Sequence, residues 1–350
     1  FLQDYEKELI VSYILNEYKL SQNENAYSDD TIHLINANLH LTDNTNLAFK
    51  AHKDLIGGLI NYYTHNNFSI VHNAEHFLLY TNENIKIEIL KCLKLEDIPY
   101  IVEELHIRFL NSQFSYSQGQ LNRAKSKHYL KEYGAVYTLK RITNEMVDKT
   151  VSNALKNTDL KDLKCLDFAS GTGRFYFEAI KILRKKYSLE LKDIVCKHLY
   201  AVDVDEVALN ILKCKVISLF DNIDEDILLS ISRNILHRNA LIPNTSLLSN
   251  SNISCDLAKD FKEVFNVGGF SAIFSNPPYY LLKVNNKKSN VLNGYFTNLK
   301  SKIKSEIQFF KTSGVYNYSI EGMLNYYQLS IEMILKLTKE NGEIGIICPS

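Results

Sequence analysis

The chain has 350 residues, 45% of them hydrophobic and 23% charged, with 40 basic side chains balancing 40 acidic ones. This profile excludes a disordered or fibrous chain and fits a globular protein long enough for two domains, while the charge balance neither favours nor excludes a polyanionic partner. Six cysteines without a C-x-x-C pair, no signal peptide and no bilayer-length apolar run point to a cytoplasmic protein with reduced thiols and no membrane association.

Residues 1 to about 120 carry apolar side chains at helical spacing, interrupted by the polar breaks 21-SQNENAYSDD-30 and 64-THNN-67. Leu9, Ile10, Tyr13, Ile14 and Tyr18 fall on one face of a first helix; Ala48, Ala51, Leu55, Leu59 and Tyr62 do so in a later one. No chemical motif rises there. His33, His40, His52, His65, His72 and His76 have no metal-ligand spacing, and no metal is expected. The chain opens at Phe1 inside a helical pattern and closes at Ser350 just after an apolar run, so it is read as a piece of a longer polypeptide.

Beyond residue 150 short apolar runs alternate with amphipathic stretches. The runs are 164-KCLDF-168, 198-HLYAV-202, 234-NILHR-238, 271-SAIFS-275 and 343-EIGIIC-348; helices are expected near 174–186, 205–217 and 320–338. Such alternation predicts an α/β fold with a parallel sheet covered on both faces, its ligands at the carboxyl ends of the strands.

The first run leads into 167-DFASGTGRF-175, where Gly171 and Gly173 permit a tight turn and close approach of the backbone. The second ends in 203-DVD-205. Asp203 is placed to accept from ribose hydroxyls, and Asp205 to cap the next helix. A dinucleotide site would also place an acid after a glycine turn, but Tyr176 stands where a third glycine belongs. The fourth run ends in 276-NPPY-279. Two prolines cannot donate to a ladder and disfavour the α region before them, so this stretch is stiff and extended. The stiffness fixes two acceptors, the Asn276 amide oxygen and the Pro277 carbonyl. A proline-stiffened loop without chemistry is the plainer alternative.

The order 134-GAVYTLKRITNEMV-147, 167-DFASGTGRF-175, 203-DVD-205, 276-NPPY-279 and 326-YYQLSIEMILKLTKENGEIGIICPS-350 resembles the γ-class adenine-N6 DNA methyltransferases of restriction–modification systems, over roughly residues 122–350. The resemblance implies a class I, Rossmann-like methyltransferase core at 121–350, behind an all-α N-terminal domain (1–120) that is read as a possible connector. It implies S-adenosylmethionine as cofactor. Tyr137 and Thr138 would lie near its methionine part; Ala169, Ser170, Gly171 and Gly173 would line it. Asp203 would bind the ribose, Val204 would pack on the adenine, and Asn239 with Ala240 would meet the adenine edge. Asn276, Pro277, Pro278 and Tyr279 would form the catalytic segment, acting on an adenine flipped out of double-stranded DNA and stacked on Tyr279. Lys287, Lys288, Lys300, Lys302 and Lys304, in a stretch with seven lysines and one acid between 283 and 311, are candidate phosphate contacts; a solvated surface loop is the alternative. A second basic cluster is Arg123, Lys125, Lys127 and Lys131.

The sequence departs from the family at Leu139, at Phe168-Ala169-Ser170 and at Asn239, where an aspartate is usual. The competing readings are a glutamine-N5 methyltransferase of release factors, an rRNA adenine methyltransferase and a non-catalytic methyltransferase-like module. The resemblance further implies two more strands and a target-recognition domain elsewhere in the parent chain, and leaves open whether that chain carries a nuclease. Sequence-specific methylation by these 350 residues alone is therefore not expected.

Overall fold

Strands at Cys165–Phe168 (β3), Leu199–Asp203 (β4), Ile235–His237 (β5), Phe270–Ser275 (β6) and Thr338–Ile346 (β7) form one sheet in the order β5-β4-β3-β6-β7. Every pairing in it is parallel. Two earlier strands, Ser112–Ser117 (β1) and Gln120–Lys125 (β2), form a separate antiparallel hairpin. This computed structural model describes residues 53, 56–64, 67, 95–110, 112–117, 120–125, 140–242, 256–279, 281–282 and 304–348.

The principal helices are α1 (Ile98–Leu110), α2 (Lys140–Ala154), α3 (Arg174–Tyr187), α4 (Glu206–Ile217), α5 (Glu225–Asn234) and α6 (Tyr326–Leu337). Alternation along the strands splits their side chains between two apolar layers. Cys165, Leu199, Ala201, Ala272 and Phe274 face one layer, built with α2, α3 and α4. Leu166, Phe168, Tyr200, Val202 and Ile273 face the other, built with α6, the helix over 304–312 and the short turns Leu257–Asp260 and Lys262–Phe265. A parallel sheet apolar on both faces requires this double cover.

The first layer reaches into the N-terminal part of the chain. Ile56, Leu59, Ile60, Ile98 and Val102 belong to the same buried cluster as Val207, Ile211 and Leu212 of α4. That explains why α4 is buried nearly all round, from Val207 to Cys214: it lies between the sheet and α1.

The five runs read from the sequence are the five strands. Three differences are local. The helical pattern of the N-terminal part gives way at residue 112 to the β1–β2 hairpin, a short-range pairing that helix spacing does not reveal. The last helix starts at Tyr326, because Asn325 accepts from the Tyr327 N–H at 2.9 Å and caps it there. The last strand starts at Thr338, ahead of the run at 343. The helix face at Leu9–Tyr18, the positions Ala48, Ala51 and Leu55, the six N-terminal histidines, Lys127 and Lys131 lie outside the described residues.

Candidate functional site

β3 is central, and the register sets Phe168 level with Val202 of β4 and Ser275 of β6. The glycine turn, Asp203 and Asn276 therefore leave three adjacent strands at one level. Neighbouring strands lie roughly 4.8 Å apart, so Asp203 and Asn276 flank the turn across about 10 Å. The Ser275 hydroxyl donates to the Phe168 carbonyl at 2.7 Å and ties β6 to β3 at the mouth of the crevice. The order of strands reverses at β3, where a parallel sheet binds its ligands.

The turn is built from left-handed residues: Ala169 has φ 58°, Gly171 53° and Gly173 84°. The two glycines serve different ends. A Cβ on Gly173 would stand 2.3 Å from Cδ1 of Leu212, so close packing on α4 demands glycine there. A Cβ on Gly171 would meet nothing within 4 Å; it faces open space. Ala169, a non-glycine residue at positive φ, carries local strain of the kind that concentrates at functional sites.

Asp203 is fixed from both sides. Its Oδ2 accepts from the Gly171 N–H at 2.8 Å and its Oδ1 from the Asp205 N–H at 2.8 Å. Each oxygen keeps a further lone pair for a ligand. Burial, and next the neighbouring Asp205 carboxylate, push its pKa up to about 6. Asp205 caps α4 by accepting from the Ala208 N–H at 3.0 Å, as its position in the sequence suggests. Val204 beside it is an exposed apolar side chain, 57% accessible at a strand end. Asn239 follows β5; its Oδ1 accepts from the Leu241 N–H at 3.1 Å and shapes its own turn, with Ala240 buried behind it. Its amide oxygen is thus already partly engaged.

Sequence reading passed over Asp167. This carboxyl is buried within β3; Oδ2 accepts from the Tyr176 N–H at 2.9 Å, while Oδ1 has no partner. Burial raises its pKa well above the carboxylate range, against the Tyr176 N–H, and the Asp203 charge adds to the rise. An acid inside an otherwise apolar run just before a glycine turn was the available signal. Ser170 Oγ, buried on the turn itself, likewise has no partner. Two orphaned polar atoms, open space over Gly171 and an anchored carboxylate form a cradle whose donors and acceptors fit an amino-acid–nucleoside cofactor such as S-adenosylmethionine.

On the other flank, the Tyr279 hydroxyl lies 2.6 Å from Asn276 Oδ1 and 3.0 Å from the Ile347 carbonyl oxygen. One phenolic proton thus has two acceptors. The Tyr279 ring is 5.8 Å from that of Tyr327. Pro277 is buried; Asn276, Pro278 and Tyr279 are partly exposed. The stretch beyond is tied down where the Leu282 N–H donates to the Leu324 carbonyl at 2.9 Å. Lys304 is exposed on the helix over 304–312. Tyr137, Thr138, Lys287, Lys288, Lys300 and Lys302 lie outside the described residues. Among the described residues no cluster of three or more His, Cys, Asp or Glu side chains has metal-binding geometry, and no helix is long and apolar enough to cross a membrane.

Sheet order, glycine turn and strand-end acid together define the class I methyltransferase fold. Residues 197–350 match the family model described as Eco57I restriction-modification methylase, which bears out over that segment the resemblance drawn from the sequence. No curated protein matches the chain by sequence. Among solved structures, the DrdV–DNA complex is similar at 16% identity and a TM-score of 0.51, over 98% of this chain and 35% of that one. The ATP-dependent Type ISP restriction-modification enzyme LlaBIII bound to DNA aligns at 15% identity and a TM-score of 0.48, over 99% and 25%. The type IIG restriction endonuclease BpuSI aligns at 15% and 0.45, over 92% and 34%. At 16% identity the likeness to the DrdV complex concerns the fold alone. The chain spans about a third of the length of DrdV.

Proposed function

We propose that this chain is the catalytic part of a restriction–modification methyltransferase, acting in the cytoplasm on the N6 amine of an adenine flipped out of duplex DNA. Asn276, at the end of β6 beside the cofactor cradle, is the observation that carries this reading; the family match over 197–350 supports it. S-adenosylmethionine, when bound, supplies an electrophilic sulfonium methyl.

The exocyclic amine of adenine is a poor nucleophile because its lone pair is delocalised into the ring. The Asn276 amide oxygen and the Pro277 carbonyl accept its two hydrogens, favour a pyramidal nitrogen and so free the lone pair. These are fixed dipoles that act on the transition state more than on the ground state. Pro277 and Pro278 hold them in place. Tyr279 offers its ring for stacking, worth about 1–3 kcal/mol per base. On the other flank Asp203 binds the ribose, Val204 packs on the adenine of the cofactor, and Ala169, Ser170, Gly171 and Gly173 line it, with Asp167 Oδ1 and Ser170 Oγ available to its polar end. Tyr137 and Thr138 complete the methionine side. Lys304, with Lys287, Lys288, Lys300 and Lys302, contacts phosphates beside the flipped nucleotide.

The test offers duplex DNA, rRNA and release factor in parallel to the parent protein with a labelled methyl donor. Label in N6-methyladenine of the DNA supports the proposal. Label confined to rRNA or to glutamine replaces its substrate, and none in any of the three leaves a non-catalytic module.

A further inference from the structure

A single helix from the N-terminal part of the chain touches both jaws of the cofactor cradle. The Thr172 hydroxyl, between the two glycines of the turn, donates to Glu103 Oε1 on α1 at 2.7 Å. Glu103 Oε2 pairs with Lys215 of α4 at 2.8 Å, and the same ammonium lies 3.4 Å from the Thr172 carbonyl. One helical turn further along α1, His106 Nε2 stands 3.3 Å from Asp205 Oδ2. His106 is 1% exposed and Thr172 6%, while their charged partners Asp205 and Glu103 are 31% and 25% exposed; in these part-buried contacts a hydrogen bond to a charged group contributes more than a neutral one.

The contacts close a circuit. From Glu103 it runs through Thr172 to the Gly171 N–H, which donates to Asp203. From Asp203 it returns through the Asp205 N–H and the Asp205 carboxylate to His106 on the same helix. Asp203 is thereby held between two loops, each of which is held in turn by α1.

We infer that Glu103 and His106 are positioning residues of the cofactor site: α1 clamps the glycine turn to the Asp203–Asp205 corner and sets the width of the cradle. The clamp rests on the reading of this cradle as the S-adenosylmethionine site. It also places the start of the working methyltransferase unit at or before Ile98, upstream of the boundary near residue 121 that the family resemblance implies.

Three kinds of variant of the parent protein separate this role from support of the fold. Glu103→Ala and His106→Ala remove the clamp. Glu103→Gln and His106→Gln keep an acceptor for Thr172 and a donor for Asp205. Val102→Ala weakens α1 in its apolar core without touching either loop. Dissociation constants for S-adenosylmethionine are measured by calorimetry, alongside thermal midpoints and kcat at saturating cofactor.

Either alanine variant is expected to weaken binding about five- to tenfold, with kcat at saturation within about twofold of the unmodified protein. The glutamine variants recover most of the affinity, and Val102→Ala lowers the midpoint with affinity unchanged. Should an alanine variant fail to fold, Thr172→Val reads the same contact from the opposite side and should weaken binding to a like extent. Unmodified affinity in the folded Glu103 and Thr172 variants overturns the clamp and leaves the cofactor reading standing. So does an affinity loss in Val102→Ala equal to that in Glu103→Ala. Failure of the unmodified protein to bind S-adenosylmethionine brings down the cofactor reading, and the clamp with it.

Discussion

The two flanks of β3 are held by different means. On the β4 side the turn is set by left-handed backbone, and Asp203 by two N–H groups and a helix that reaches in from the N-terminal part. On the β6 side Asn276 faces a phenol with one proton and two acceptors. The Tyr279 hydroxyl can swing its one hydrogen from Asn276 Oδ1 to the Ile347 carbonyl and remain paired, so this bond can be exchanged without rebuilding the site. The first flank holds its acceptor in one arrangement; the second can redirect a hydrogen bond without losing it.

Asn276→Ala should break the comparison hardest. On the proposed reading it removes an acceptor made for the transition state, for which a loss of about 10²–10³ in kcat is typical, while the dissociation constant for S-adenosylmethionine stays within about twofold. Single-turnover methylation beside calorimetry checks both halves; near-normal transfer would remove 276-NPPY-279 from the chemistry.

Asp203→Ala should act on the opposite flank. Hydrogen bonds to a charged group contribute about 1.5–3 kcal/mol, so cofactor affinity drops about tenfold or more. The same residue yields a pH signature. Its folded pKa of about 6 lies above the ordinary carboxylate value, so the fold favours the protonated form. In the cofactor-free protein this group's contribution to stability is fully present below its unfolded pKa and is lost as pH rises through about 6. Binding of the ribose draws on the ionised form, so affinity should weaken as pH falls through about 6. Calorimetry at pH 7.5 and pH 5 measures that slope, and Asp203→Asn should flatten it.

Gly173→Ala sharpens the contrast between the two glycines. With a Cβ 2.3 Å from Leu212 and φ at 84°, it should lose about 1–3 kcal/mol of stability. Gly171→Ala, with space around its Cβ, should lose about 1 kcal/mol; denaturant titration of both ranks them. The smallest effect belongs to Tyr279→Phe. It keeps the ring and removes the shared proton, so kcat should fall about two- to tenfold. A loss as deep as that of Asn276→Ala would show that the hydroxyl takes part directly in activating the amine.

Much of the fold was legible because a doubly covered parallel sheet writes its strands as short apolar runs, and all five were read, the last with its start placed at 343 instead of Thr338. The glycine turn, Asp203, the Asp205 cap and the proline pair were legible for the same reason: each is a local pattern at a strand end. What escaped was non-local. Thr172 and Glu103 lie 69 residues apart in the chain, and Lys215 and Glu103 lie 112 apart; no spacing rule connects them. Glu103 and His106 look in sequence like ordinary polar positions on an amphipathic helix. Asp167 looked like a mere neighbour of the glycines. The late start of α6 has a similar origin. Glu332, from inside that helix, accepts the N–H groups of Asn317, Tyr318 and Ser319 and holds the preceding segment out of helical form.

The tie between Ser275 and Phe168 has a consequence for protein engineering. Among the described residues the chain emerges from β6 at Asn276 and returns to the sheet through α6 and β7, so a block from Asn276 to Asn325 makes a natural cassette for exchange between methylases. The Tyr316 hydroxyl on the Leu241 carbonyl at 2.6 Å fastens the block to the other flank, whereas the Ser275 hydroxyl on the Phe168 carbonyl at 2.7 Å lies just ahead of it and stays with the recipient sheet. A chimera keeps the Ser275 seam and needs a hydroxyl at the position of Tyr316, or the graft will sit on the sheet without being registered to it.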